Sequence, residues 1–169
     1  MLVYKFGGAS IADANRMKAL LPIVRAAQEP LLLVVSALGK TTNMLEHIVN
    51  QACLGEMEEA MSQVQQLKEL HLDYARALLD DNNYPQAVFV INVYFIELEN
   101  AIRIADPAHY DFSYDQVVCM GEIFSTRLFE CMLMQHEIAV NWTDIRSIIR
   151  TDDTYRDAAV DWDLSLIHI

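Results

Sequence analysis

Two kinds of hydrophobic pattern open the chain. Leu2-Val-Tyr-Lys-Phe6 alternates and carries aromatic side chains, whereas Leu31-Leu-Leu-Val-Val35 is a continuous apolar run rich in branched residues. Both predict short strands, the second buried on both faces. Between them Met17, Leu20, Leu21 and Val24 recur at helical spacing, and Gln28-Glu-Pro30 stops the pattern. Strand, helix, strand in this order predicts a right-handed parallel crossover in an α/β sheet. The two strands then end on the same sheet edge, where open α/β folds bind ligands.

The next stretch, 44–105, follows the helical period. Leu45, Ile48, Val49 and Ala52 form one apolar stripe, closed by Gly55. Met57, Met61, Val64, Leu67, His71, Tyr74 and Leu78 form a second, broken at Asp80-Asp-Asn-Asn83, and Pro85 suits a new helix start. Val88-Phe-Val-Ile91 has strand propensity, but the length of the segment and the Leu98, Ile102 spacing predict a helix over 87–104. These helices read as an insertion into the α/β scheme.

After the loop Asp106-Pro-Ala-His-Tyr-Asp-Phe112, the positions Val117, Met120, Phe124, Leu128, Cys131 and Met132 predict one long helix. Gly121 inside it costs about 1 kcal/mol relative to alanine, so something should press closely on the backbone there. Glu122, Ser125 and Thr126 share a polar face, which is either solvated or the wall of a binding site. Ile138–Trp142 reads as a third strand and Ile148–Asp152 as a short fourth. Three pairs, Ser10 with Asp13, Asn43 with Glu46 and Ser113 with Gln116, match the capping pattern of helix starts.

Composition narrows the function. The 169 residues suffice for one domain with a substantial core. The net charge of −12 disfavours a nucleic-acid or anionic-membrane partner, and no apolar run is long enough to span a bilayer. Three cysteines, Cys53, Cys119 and Cys131, without a C-x-x-C pair, read as reduced thiols of a cytoplasmic protein. The N-terminus lacks the layout of a signal peptide. An acidic protein that binds phosphate must build a local positive spot, which singles out Lys5, Lys40 and nearby backbone donors.

The first strand runs into Gly7-Gly8 and a predicted helix start, an arrangement that aims backbone N–H groups at one spot and suits phosphate, with Lys5 adding a full charge. The second runs into Ser36-Ala-Leu-Gly-Lys-Thr-Thr-Asn43, again a small-residue loop before a helix. Gly39-Lys-Thr41 does not complete a P-loop, because Val34 stands where that motif needs glycine. His47, His71, His109 and His136 are scattered and form no ligand pair. Two glycine- and hydroxyl-rich loops, one lysine and a carboxylate on a helix fit phosphoryl transfer, which needs positioning and donors more than covalent help.

Four segments together resemble the aspartate kinases. Lys5-Phe-Gly-Gly-Ala-Ser10 is similar to the opening signature K-F-G-G-T/S-S, with Ala9 where threonine is common. Val34-Val-Ser-Ala-Leu-Gly-Lys-Thr-Thr-Asn43 resembles the second loop, V-S-A followed by T-N. Met120-Gly-Glu-Ile-Phe-Ser-Thr-Arg-Leu128 resembles the G-E-x-x-S helix, and Ile149-Arg-Thr-Asp-Asp153 the segment that follows. The resemblance covers residues 2 to about 163. It implies a three-layer α/β/α sandwich of the amino-acid kinase (carbamate kinase-like) fold, here truncated, with a helical insertion.

The implied reaction is transfer of the ATP γ-phosphoryl group to the β-carboxylate of L-aspartate, giving 4-phospho-L-aspartate, the first step toward lysine, threonine, methionine and diaminopimelate. Mg2+ would be held mainly through the nucleotide phosphates, with no side-chain metal site. Carried over, Lys5 is the catalytic cation; Lys5, Phe6, Gly7, Gly8 and Ser36 meet the ATP phosphates; Thr42 contacts aspartate and Glu122 its ammonium group. The family's kinase domain runs on for about another hundred residues, which carry an arginine for the α-carboxylate and most of the adenine pocket, and regulatory ACT domains follow. The chain alone is therefore expected to be inactive, and the full-length protein to be a homo-oligomer. An amino-acid kinase with another acceptor, such as glutamate or a carbamate, and a non-catalytic binding fragment are the alternatives. The last residues, Leu164-Ser-Leu-Ile-His-Ile169, resemble a translated transposon adaptor end from DNA library preparation. They are set aside from fold reasoning, with the natural frame expected to continue beyond Asp163.

Overall fold

The computed structural model describes residues 1–166. Two strands, β1 (Leu2–Phe6) and β2 (Leu31–Val35), pair in parallel with Leu2 opposite Leu31 and Phe6 opposite Val35. Parallel pairing requires a crossover, supplied by α1 (Ala14–Lys18) and α2 (Leu21–Arg25). The single helix expected there is two, because Pro22 lacks the N–H that a continuous helix needs and its ring would strike the preceding turn. The start also differs from the Ser10–Asp13 expectation. The glycines lead into a 3-10 turn, Gly8–Ile11, and Asp13 itself caps α1 by accepting from the Arg16 amide at 2.9 Å.

The helical insertion is present as expected. It comprises α3 (Thr41–Cys53), α4 (Met57–Leu78) and α5 (Tyr84–Arg103). Gly55, at φ +82°, takes the left-handed conformation that ends α3. Asp80 breaks α4 from α5 by accepting from the amides of Asn82 and Asn83 at 3.1 and 2.9 Å. α3 starts two residues before Asn43, at Thr41, and no side chain caps it.

The long helix expected after the 106–112 loop is divided at Cys119 into α6 (Tyr110–Val118) and α7 (Met120–Gln135). Ser113 lies inside α6 rather than capping it. Its hydroxyl instead accepts from the Asp106 amide at 3.0 Å, tying back the preceding turn. α7 is the central helix: Met120, Gly121, Ile123, Phe124, Ser125, Leu128, Phe129, Cys131, Met132 and Leu133 are all buried, against α3, α4, α5, α6 and β2. Phe124 stacks on Phe95 of α5 at 4.3 Å, and His71 of α4 fills the space beside both rings.

Three strand expectations are corrected. Leu31–Val35 is not buried on both faces: Leu32, Val34 and their neighbour Val3 are exposed, because helices cover only the other side of the sheet among the described residues. Ile138–Trp142 is not a strand, and over Ile148–Asp152 there is only an isolated antiparallel bridge, Thr151 to Val160. A strand needs a partner. Here Ile138 and Trp142 send their side chains onto the core, and the Trp142 indole lies 4.5 Å from the Arg127 guanidinium while donating to the Thr126 hydroxyl. The backbone of Arg150 pairs with the Ser165 hydroxyl of α8 (Trp162–Leu166). Of the suspected adaptor tail, Ile167 to Ile169 lie outside the described residues. No described helix is long and apolar enough to cross a membrane.

Candidate active site

The site forms where the ends of β1 and β2 meet the start of α7. Lys5 is exposed at the end of β1, its ammonium 3.5 Å from the position a side-chain carbon on Gly7 would occupy. The cation therefore folds back over the glycine turn. Gly8 has a stricter reason: a Cβ there would sit 2.9 Å from the Ala37 carbonyl oxygen, too close for any other residue without moving backbone. Phe6 contributes main chain to this edge, its carbonyl accepting from the Ser36 amide at 3.0 Å. Its ring is buried against Phe129, at 6.0 Å.

The second loop is gripped from α7. The Ser125 hydroxyl, fully buried, donates to the Ser36 carbonyl at 2.7 Å, and the Glu122 carboxylate accepts from the Ala37 amide at 3.4 Å. These are the two ends of one peptide group, Ser36–Ala37, so a single plane is fixed from both sides. The close approach this needs is permitted by Gly121. A Cβ there would lie 2.9 Å from that of Ala37, 3.3 Å from Leu45 Cδ1 and 3.4 Å from Thr41 Cγ2. The expectation that something presses on Gly121 is met, and the neighbour is the second phosphate-loop candidate itself.

Thr42 stands half-exposed in the first turn of α3, next to the buried Thr41 that touches Gly121. One turn further, Glu46 accepts from the Tyr114 hydroxyl of α6, which pushes the phenol up to about 12. The Arg156 guanidinium lies 4.5 Å from the Tyr114 ring centre, and its backbone amide donates to Asp115 at 2.8 Å. This clasp fastens α3, and with it Thr42, to α6. At the start of α7 burial pushes the Cys119 thiol up, so it stays protonated.

Lys5, Gly7, Gly8, Ser36 and Glu122 thus belong to one contiguous surface, with Thr42 on the adjoining helix turn. In the sequence Ala37 shows as part of the V-S-A loop, and Ser125 as part of the G-E-x-x-S helix and of the polar face it shares with Glu122, but the hydrogen bonds that bring the two together are not legible there. Among the described residues no three His, Cys, Asp or Glu side chains gather as metal ligands. What the surface offers is the exposed Lys5 cation, with Lys40 also exposed in the second loop, backbone donors at two tight turns and one carboxylate held by an amide. That set can bind a phosphate beside an ammonium-bearing acceptor.

Comparison with known proteins places the chain in a family. The family model described as the amino acid kinase family matches residues 1–165. Lysine-sensitive aspartokinase 3 of Escherichia coli is 30% identical over 166 residues, covering 95% of this chain and 34% of that protein. The chloroplastic aspartokinase 1 of Arabidopsis thaliana is 34% identical over 159 residues, covering 89% and 27%. The crystal structure of E. coli aspartokinase III in complex with aspartate and ADP superposes with a TM-score of 0.73 at 26% identity, over 99% of this chain and 36% of that one. The chain spans about a third or less of the length of these relatives. With its parallel crossover, its two clasped strand-end loops and a family match over nearly all its length, this chain belongs to the amino acid kinase family, and its relatives there are aspartokinases.

Proposed function

We propose that the chain is the N-terminal part, residues 1–163, of an aspartate kinase catalytic domain, and that it carries the acceptor side of the site. The observation that supports this most is the Ser36–Ala37 peptide held between Ser125 and Glu122 over Gly8. It joins the phosphate-loop candidate and the acceptor carboxylate into one rigid unit. Similarity to an aspartokinase crystallised with aspartate and ADP supports the choice of ligands.

ATP would supply the phosphoryl group, and Mg2+ bound with the nucleotide would neutralise part of the phosphate charge, no cluster of three His, Cys, Asp or Glu among the described residues being placed to hold it. Lys5 places its ammonium against the charge that spreads over the transferred group. The backbone of Phe6, Gly7 and Gly8 donates to phosphate oxygens, with Ser36 beside them. Glu122 holds the aspartate ammonium and Thr42 contacts the aspartate, so that the β-carboxylate faces the phosphate in line. The product is 4-phospho-L-aspartate, the entry to lysine, threonine and methionine synthesis in the cytoplasm.

By itself the 169-residue chain is expected not to turn over aspartate and ATP. A coupled ADP-release assay with aspartate and Mg-ATP reads this directly, and clear turnover by the 169-residue chain refutes it. A complete enzyme that carries this chain should phosphorylate aspartate in preference to glutamate or carbamate. Lys5→Ala and Glu122→Ala should each lower its kcat/KM at least a hundredfold, on the scale of a lost electrostatic contact. Preference for another acceptor would overturn the assignment.

A further inference from the structure

Lys40 is the one charged residue of the second loop, and the proposed phosphoryl transfer leaves it unused. Gly39, at φ +49°, takes the left-handed conformation that turns the chain toward α3, and Lys40 is the residue from which that helix starts. This corner abuts the first loop. A side-chain carbon on Gly8 would lie 3.7 Å from the Gly39 carbonyl oxygen and 3.9 Å from its amide nitrogen, and one on Gly39 would lie 4.0 Å from the Ala12 carbonyl oxygen. Lys5 covers Gly7, the residue before. Two lysines, one from each loop, therefore stem from adjoining glycine turns. Both are exposed. Neither is paired with a carboxylate among the described residues, although Asp and Glu outnumber Lys and Arg by 24 to 12. Lys18 shows what a structural lysine does in this fold: it donates to the Ala77 carbonyl at the end of α4, at 2.7 Å. Lys40 makes no such contact among the described residues. The amides of Gly8 and Gly39, which lie between the two lysines in this arrangement, donate to no backbone acceptor among the described residues either.

We propose that Lys40 is a second phosphate-binding cation of the site, closing on the polyphosphate of the nucleotide together with Lys5. The inference rests on the phosphoryl-transfer reading and adds a residue to it. Like charges on adjoining turns repel each other, and an anion held between them turns that cost into attraction. A lysine suits this task, as a compact charge on a flexible stem that needs no fixed geometry to meet a phosphate oxygen. The stem of Lys40 also has a firm base. The Ser36–Ala37 peptide of the same loop is held by Ser125 at 2.7 Å and by Glu122 at 3.4 Å, so the loop keeps its place when the phosphate arrives.

Titration of the isotopically labelled 169-residue chain with inorganic tripolyphosphate, followed by amide chemical shifts, tests this. Binding with a Kd on the order of 1 mM is expected, with shifts centred on Gly7, Gly8, Gly39 and Lys40. Lys40→Met and Lys5→Met should each raise the Kd at least about threefold, whereas Lys40→Arg, which keeps the charge, should stay within about twofold of the parent. Arg103→Met removes an exposed cation at the end of α5 and should change nothing. Lys40→Met should also leave the far-UV circular dichroism and the melting temperature unchanged, because the side chain is exposed. Tripolyphosphate binding that is lost in Lys5→Met but unchanged in Lys40→Met overturns the inference and leaves the aspartate kinase reading intact. A Lys40→Met chain that loses affinity for L-aspartate and none for tripolyphosphate assigns the lysine to the acceptor and overturns it equally. So does a parent chain that binds no tripolyphosphate up to about 20 mM. The acceptor preference of a complete enzyme can fail separately, since it does not depend on which lysines meet the phosphates.

Discussion

Replacing Ser125 by alanine tests the two-sided grip on the second loop. The side chain is fully buried, and the Ser36 carbonyl accepts from it at 2.7 Å and from no other group among the described residues. The substitution removes one oxygen and leaves almost no cavity, so the cost is that of an orphaned carbonyl, about 1–3 kcal/mol. Ser36 is half-buried, which lets water reach part of the loop and places the expected loss at about 1–2 kcal/mol. Urea denaturation at constant m-value measures it. A second reading is local. With its oxygen released, the Ser36–Ala37 peptide can rotate, and the Ala37 amide loses its contact to Glu122 at 3.4 Å. Its hydrogen exchange should therefore accelerate by more than the global loss of stability explains. A loss under about 0.5 kcal/mol with Ala37 exchange unchanged would refute the view that Ser125 holds this peptide.

Gly121→Ala gains about 1 kcal/mol of helix propensity but forces a Cβ to 2.9 Å from that of Ala37. A net destabilisation of about 1–2 kcal/mol is expected in the same denaturation assay, and stabilisation would show that the contact relaxes freely. His71 is buried between Phe95 and Phe124 with Nδ1 on the Leu67 carbonyl and Nε2 without a partner, and burial lowers its pKa from 6.5 to about 4. Its folded-state value is depressed, so its contribution is complete above pH 6.5 and is lost as pH falls toward 4, up to about 3 kcal/mol in all. His71→Leu should flatten the stability-against-pH curve between pH 6.5 and 4, and an unchanged slope would show that the histidine is not held neutral.

Much of this molecule could be read in one dimension because its signals are local. The parallel pair β1–β2, the three helices of the insertion and the breaks at Gly55 and Asp80 follow from period, turn chemistry and length. Lys5, Gly7, Gly8 and Ser36 are candidates from sequence because small side chains let a phosphate approach the main chain and a lysine adds positive charge. The errors also have local causes: Pro22 divides a helix, and Asp13 outcompetes Ser10 as a cap. What tertiary structure alone decided are the relations between segments distant in sequence. Ser36–Ala37 and Ser125, 89 residues apart, form one clamp. Gly121 is required by Ala37 and Leu45, not by its own helix. Ile138–Trp142 has strand propensity but finds no strand to pair with, and gives its side chains to the core instead. Sequence patterning specifies which face of an element is apolar; only the assembled fold specifies what meets that face, and on α5 and the outer side of the sheet nothing among the described residues does.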